Sequence, residues 1–514
     1  MMHIDHGGIP GRAGAALILA LFAALVCPWV AVAQVKDWPV EAPPRPLPAR
    51  DVNFPPYEIR TIENGMRVVV VMHHEQPVVT LRLLLQAGSV CDAPGKSGVA
   101  ALAAALLDQG TTTRSAEQIA DTIDSIGGGL GTGAGNDLSF ANVVVMKDSL
   151  ALGFDLLSDV VRNPAFKQEE IDRQRQQAVS SLKVSFEDPD FVASVVFDRL
   201  VYGFHPYGMP GSGTPESLQS ITATDLHAFH QRYYAPNNAI LAVVGDVTAE
   251  EAFAGAERVF GNWAKRDVPP VQSAEQPVAT RRLVIVNKPD AVQTEIRVGH
   301  LGIQREHKDY LAMDLAMKIL GGEGSNRLHR VLRSERGLTY GAQASMQSLK
   351  QGGDFMADTD TRTETTAEVL RVIVDEFQKL QRERVHEREL ADAQAYLAGS
   401  FPLTIETPDA IAAQVLDVLF YGLPLRDIET YRERVNDITV ADIQRVARQY
   451  LRPDRLSVVL VGNAAAFTDT LQGVGFSTFE VVNLADLDLT AADFRRPPRP
   501  GRSTAAVRTP GAQK

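Results

Sequence analysis

DLHAFHQRYYAPNNAILAVVGDVTA at residues 225–249 returns as DIQRVARQYLRPDRLSVVLVGNAAA at residues 442–466. Each copy reads as an amphipathic helix with an aromatic end, a proline turn, an apolar strand and a closing Gly-Asp or Gly-Asn. The copies stand 217 residues apart. An earlier pair, FDRLVYGFHPYG at 197–208 and LDVLFYGLPLRD at 416–427, supports the same duplication. Each half mixes strand-like runs with helices, which indicates an α+β class built on a mainly antiparallel sheet. The polar, proline-containing stretch AKRDVPPVQSAEQPVATRR at 264–282 reads as a linker, leaving halves at 57–263 and 283–490.

The flanks read differently. Residues 1–33 have the form of a secretory signal, with Arg12, an apolar run from Ala15 to Val26 and a small-x-small site at Ala31-Val32-Ala33. The run is shorter than the ~20 residues a membrane span needs, and Pro28 breaks it. Cys27 follows the bulky Val26, which weighs against a lipoprotein site. No later stretch is apolar enough to span. The mature protein is therefore expected to be exported and soluble, periplasmic in a bacterium. Residues 34–56 form a proline-rich arm, and residues 491–514 a tail rich in Pro, Gly and Ala. Six basic groups and no acid lie in residues 495–514, so with a net charge of −12 the rest of the chain carries −18. That balance argues against a nucleic-acid surface on the body, and the tail is expected to be solvated and disordered.

Length alone, 514 residues with 45% hydrophobic content, suggests two to four domains. Once the signal is removed Cys91 is the only cysteine, which excludes an intramolecular disulfide and a cysteine-based metal site. Residues 66–72 and 78–86 are β-branched apolar runs around a polar turn and predict a hairpin. His73 and His74 in that turn have no third ligand nearby in sequence, so a solvent-exposed turn is expected. Helical spacing covers 97–108, 115–126, 147–162 and 168–186. The glycine run at 127–135 lacks the Lys-Ser/Thr ending of a phosphate loop and predicts a flexible turn between helix and strand.

GVAALAAALLDQGT at 98–111, led in by Gly95-Lys96-Ser97, resembles the metal-binding helix of the pitrilysin/insulinase-like metallopeptidases, the inverzincins with the signature H-x-x-E-H. In that family the helix carries two metal-binding histidines and a catalytic glutamate. Here the histidine positions fall on Ala101 and Ala105 and the glutamate on Ala104. The family's further glutamate ligand falls on Ser181 in QQAVSSLKVSFEDPD, 76 residues after Ala105. A methyl group has no lone pair, and catalytic zinc needs about three protein ligands. All four positions are degenerate while their flanks are kept, so no metal is expected on this chain. FHPYG at 204–208 and RYYAPNNAILAVVGD at 232–246 extend the likeness, which covers nearly all of residues 57–490. It implies two homologous halves facing each other across a chamber.

The second half keeps what the first has lost. In MKILGGEGSNRLHRVLRSERGLTYGAQASM at 317–346, Arg333 and Tyr340 stand seven residues apart. The resemblance assigns that pair to the zinc site of the opposite half, as substrate and transition-state binders. A guanidinium offers fixed donors to a peptide carbonyl or carboxylate, and a phenol can donate to the oxyanion formed as water attacks the carbonyl. The turn at 321–324 is a candidate for shaping peptide entry. The expectation is an exported subunit, inactive alone, that supplies Arg333 and Tyr340 in trans to a homologous zinc-bearing partner. Substrates would be peptides or unfolded segments, bound in part by strand addition to a sheet edge. A scaffold of peptidase fold and a self-sufficient peptidase with substitute ligands are the alternatives. Against the latter, no H-E-x-x-H exists among the eleven histidines, and His386-Glu387 reads as an exposed charged helix.

Overall fold

Apolar runs without alternation need both faces of a sheet covered, and the chain meets that need twice. In a computed structural model, residues 53–271, 281–322 and 326–497 are described. The first sheet contains β1 (Tyr57–Thr61), β2 (Arg67–Met72), β3 (Val78–Leu85), β4 (Gly129–Ala134), β5 (Ser139–Met146) and β6 (Ala239–Gly245), in the order β1-β2-β6-β3-β5-β4. The second contains β7 (Leu283–Asn287), β8 (Gln293–Leu301), β9 (Ala342–Ser348), β10 (Gly353–Arg362), β11 (Ser457–Gly462) and β12 (Glu480–Asn483), in the order β12-β7-β11-β8-β10-β9. Five strands of each sheet follow the same plan. The sixth comes from opposite chain ends, β1 antiparallel to β2 and β12 parallel to β7.

The longer helices of the first half are α1 (Val99–Ala105), α2 (Ala116–Ser125), α3 (Leu150–Arg162), α4 (Gln168–Ser185), α5 (Pro189–Tyr202), α6 (Ala223–Tyr233) and α7 (Ala249–Phe260). Those of the second are α8 (Tyr310–Gly321), α9 (Thr366–Arg382), α10 (Glu387–Ser400), α11 (Pro408–Phe420) and α12 (Val440–Tyr450). The four helices expected from spacing correspond to α1 to α4. The duplicated stretches form α6 with β6 and α12 with β11. Their opening aspartates do the same work: Thr222 with Asp225, and Thr439 with Asp442, form capping boxes at the starts of α6 and α12.

Two local expectations are corrected. The runs at 66–72 and 78–86 are strands but do not pair with each other. The fully buried β6 lies between them, parallel to β2 and antiparallel to β3. The glycine run is not a turn throughout: residues 129–134 form β4, paired to β5 on one side only. Gly133 permits this, since a Cβ there would meet the Phe140 ring at 2.7 Å.

Each sheet is sandwiched between its own helices and one helix from the other half. Val68 and Val70 of β2 enter a core with Phe154, Leu157 and Phe260 of the first half. Val69 and Val71, on the opposite face, pack with Ile411, Val415 and Leu419 of α11. In the second sheet, Ile285 and Ile296 face Leu315, Ile373 and Val446. Val284, Val286 and Val459 face Val192, Val196 and Phe197 of α5. Fully buried Phe494 closes that outer layer from the C-terminal side. α5 and α11 are the second duplicated pair, and both begin with a cap followed by proline, Asp188-Pro189 and Thr407-Pro408. The halves leave an open cleft of about 1010 Å³ between them, bordered by Lys183, Glu187, Glu216, Lys288 and Asp488.

Candidate functional site

Ala101, Ala104 and Ala105 lie on α1 and Ser181 on α4, two helices that touch. α1 packs against α4 and α6, and Asp92 fixes its start by accepting from the amides of Gly98 at 2.8 Å and Ala100 at 2.9 Å. Burial pushes the Asp92 carboxyl up to about 7, against the pull of those amides. Ala104 is fully buried in the packing of α1, Ala101 and Ala105 are half-buried, and Ser181 is exposed on α4. Zinc does not fit this donor set, three methyl groups and a neutral hydroxyl. Among the described residues, no group of three or more His, Cys, Asp or Glu is placed to hold a metal ion.

The other histidines singled out in sequence have local tasks. His74 Nδ1 lies 2.6 Å from Asp246 Oδ1, and His73 Nε2 lies 3.8 Å from Glu75. His386 caps α10 by accepting from the Arg388 amide at 3.1 Å.

Arg333 and Tyr340 are brought together. The guanidinium carbon of Arg333 lies 4.5 Å from the centre of the Tyr340 ring, and Tyr340 is 81% exposed. An exposed cation–π contact is worth only about 0.5–1 kcal/mol, too little to hold two mobile side chains unaided. The backbone between them is held instead. Arg333 belongs to a π-helical turn, His329–Glu335, a geometry found disproportionately at functional sites. Gly337 reverses the chain at φ +61°, where a side chain would be strained. The buried threonines of β10 then secure the return. Thr361 Oγ1 donates to the Leu338 carbonyl at 2.7 Å, and Thr359 Oγ1 to the Gly341 carbonyl at 2.7 Å. Upstream, buried Arg327 makes a two-pronged pair with Glu389 at 2.8 Å on each prong.

Sequence reasoning missed two of these supports. Half-buried His329 presents Nε2 to Arg333 Nη1 at 3.2 Å; its place four residues before Arg333 is a weak signal, because π geometry leaves no periodic trace. The alternating threonines in FMADTDTR were a readable sign of a strand face with hydroxyls turned inward. Of the turn at 321–324 proposed to shape peptide entry, Gly321 ends α8 and Gly322 caps it, while residues 323 and 324 lie outside the described residues.

The insulinase (peptidase family M16) profile matches residues 67–203, and the peptidase M16 inactive domain profile matches residues 220–397. An uncharacterized zinc protease of Mycobacterium leprae is 28% identical over 397 residues, spanning 76% of this chain and 88% of the relative. A crystal structure described as a peptidase M16 inactive domain from Pseudomonas fluorescens superimposes with a TM-score of 0.75 at 30% identity, covering 79% of this chain and 98% of that one. A protease from Helicobacter pylori has the same fold, with a TM-score of 0.75 at 24% identity, covering 79% of this chain and 99% of that one.

Proposed function

Because the chain belongs to the insulinase-type peptidase family M16, we propose that it is the non-catalytic subunit of a two-chain zinc peptidase, lending Arg333 and Tyr340 to a partner that carries the metal. The observation that carries this reading is the stacked, exposed pair, held on a stapled backbone in a chain whose own α1 is stripped of ligands. A purely structural role leaves such a pair without a task.

In the complex, zinc on the partner would polarise the substrate carbonyl and its attacking water. This chain's part is positional. Arg333 donates to a carbonyl or carboxylate of the bound peptide. The Tyr340 hydroxyl, facing solvent in the free chain, donates to the oxygen that gains charge as the carbonyl becomes tetrahedral. The partner is expected to be a homologue with an intact H-x-x-E-H helix, and the substrates peptides or unfolded segments. Export to the periplasm belongs to the same reading, since residues 1–33 lie outside the described residues.

The test is to purify the chain alone and with such a partner, then measure peptide cleavage. Tyr340→Phe in the complex should slow turnover by about 10²–10³, the usual effect of losing one oxyanion donor, with zinc content unchanged. Unaltered turnover in that variant removes Tyr340 from the mechanism. Chelator-sensitive cleavage by the solitary chain overturns the two-chain reading.

A further inference from the structure

The π-helical turn and the residue that caps it carry three arginines, and two of them are committed to carboxylates. Arg330 lies 3.8 Å from Glu335, and Arg336 lies 3.0 Å from Glu368 of α9. Just upstream, Arg327 is held by Glu389. Arg333, between them, has no carboxylate within ion-pair distance among the described residues. Its guanidinium rests instead on two uncharged groups, the Tyr340 ring at 4.5 Å and His329 Nε2 at 3.2 Å from Nη1. His329 is itself set by its amide, which donates to Asn326 Oδ1 at 2.7 Å. A guanidinium offers only donors and has no lone pair to give. In the second contact Arg333 therefore donates and His329 accepts. An imidazole accepts at Nε2 only when that nitrogen is bare, so His329 is the neutral ring with its proton on Nδ1.

We propose that His329 is a positioning residue for Arg333, a neutral anchor that aims the guanidinium while leaving its charge whole for the peptide group it binds. The inference rests on the reading that Arg333 is lent to a partner's site. A carboxylate in the place of His329 would grip the arginine harder, because hydrogen bonds between ions are the stronger kind. It would also cancel the charge and compete with the incoming substrate oxygen for the same donors. An apolar side chain there would leave Arg333, exposed on the turn, to be ordered only when the peptide arrives, and that ordering weakens binding. The imidazole avoids both faults. It takes one N–H of Nη1 and leaves Nη2 and Nε to the substrate.

The anchor is tested first in the free wild-type chain, where neither a partner nor a substitution is needed. A long-range proton–nitrogen correlation spectrum of the imidazoles, taken above their titration range, should show the His329 proton on Nδ1. A proton on Nε2 overturns the proposal. The second test compares kcat/KM for peptide cleavage by the two-chain complex. His329→Phe keeps a ring without an acceptor and should lower kcat/KM about tenfold, a misplacement effect. His329→Gln restores a neutral acceptor and should recover most of that loss, whereas His329→Glu, alike in size but charged, should not. Adding His329→Phe to Arg333→Ala should cost nothing further, since the two residues act as one unit. Wild-type rates in His329→Phe, equal recovery by Gln and Glu, or additive losses overturn the proposal while a slow Arg333→Ala complex upholds the two-chain reading. A complex indifferent to Arg333→Ala sinks that reading, and the proposal with it.

Discussion

At 81% exposure the Tyr340 ring receives little packing from its own chain, so its geometry is inherited from Thr359, Thr361, Gly337 and the π-helical turn. Removing the ring should leave the fold intact: Tyr340→Ala is expected to shift stability by no more than about 0.5 kcal/mol, measured by urea denaturation. Asp159 is the opposite case. Its carboxylate accepts from Thr111 at 2.8 Å, Thr113 at 2.7 Å, Arg114 at 2.6 Å and Asn163 at 3.0 Å, and so anchors the loop that follows α1. Burial would raise this acid, but the four donors together hold it below the ordinary aspartate value. Asp159→Ala should cost about 3 kcal/mol, since several donors are left unsatisfied at once. Its folded value is depressed, so the contribution is present above the ordinary aspartate value and lost as pH falls through the depressed one. A urea titration repeated from pH 7 to pH 3 should show the wild-type advantage over Asp159→Ala shrinking at the acid end. That Ala101, Ala104 and Ala105 carry no lone pair for a metal was legible at this scale, because a ligand's identity is a property of one residue. The stacking of Arg333 on Tyr340 was not, because their spacing does not fix a rotamer or a ring plane.

α5 is the element on which the joining of the halves turns. It can lie on the second sheet only because β8 offers Gly299 beneath it: a Cβ there would come within 2.8 Å of the Phe197 ring and 2.0 Å of the Phe355 carbonyl oxygen. Gly299→Val should therefore displace α5 and cost about 3 kcal/mol or more, beyond ordinary overpacking because backbone as well as side chain obstructs it. The check is earlier thermal unfolding, with exchange in α5 rising before exchange in α3. The FHPYG stretch is likewise a joint. Tyr207 donates to Asp137 beside the turn between β4 and β5, and accepts from the Gln351 amide in the turn between β9 and β10 at 3.1 Å. Helix positions were readable because one apolar face per helix leaves a 3.6-residue period. The pairing of β2 and β3 was not, since both strands are covered on two faces and lose the alternation that fixes a partner.

Over the whole molecule, two similar sheets are locked by an exchange of one helix each, and the Arg333 and Tyr340 pair sits on the surface of the second half. The isolated chain should accordingly carry no stoichiometric zinc after purification without chelator, as metal analysis by mass spectrometry can check. One zinc per chain in that preparation would contradict the reading of α1. The sequence by itself determined the duplication, the α+β class and the absence of a ligating side chain at Ala101, Ala104 and Ala105, because each depends on side-chain identity or local period. Only the tertiary structure decided that β6 parts β2 from β3, that α5 and α11 trade sheets, and that Arg297 of β8 pairs with Asp190 of α5. Those arrangements pair residues more than a hundred positions apart, and they are set by which apolar faces remain to be covered once both halves have folded.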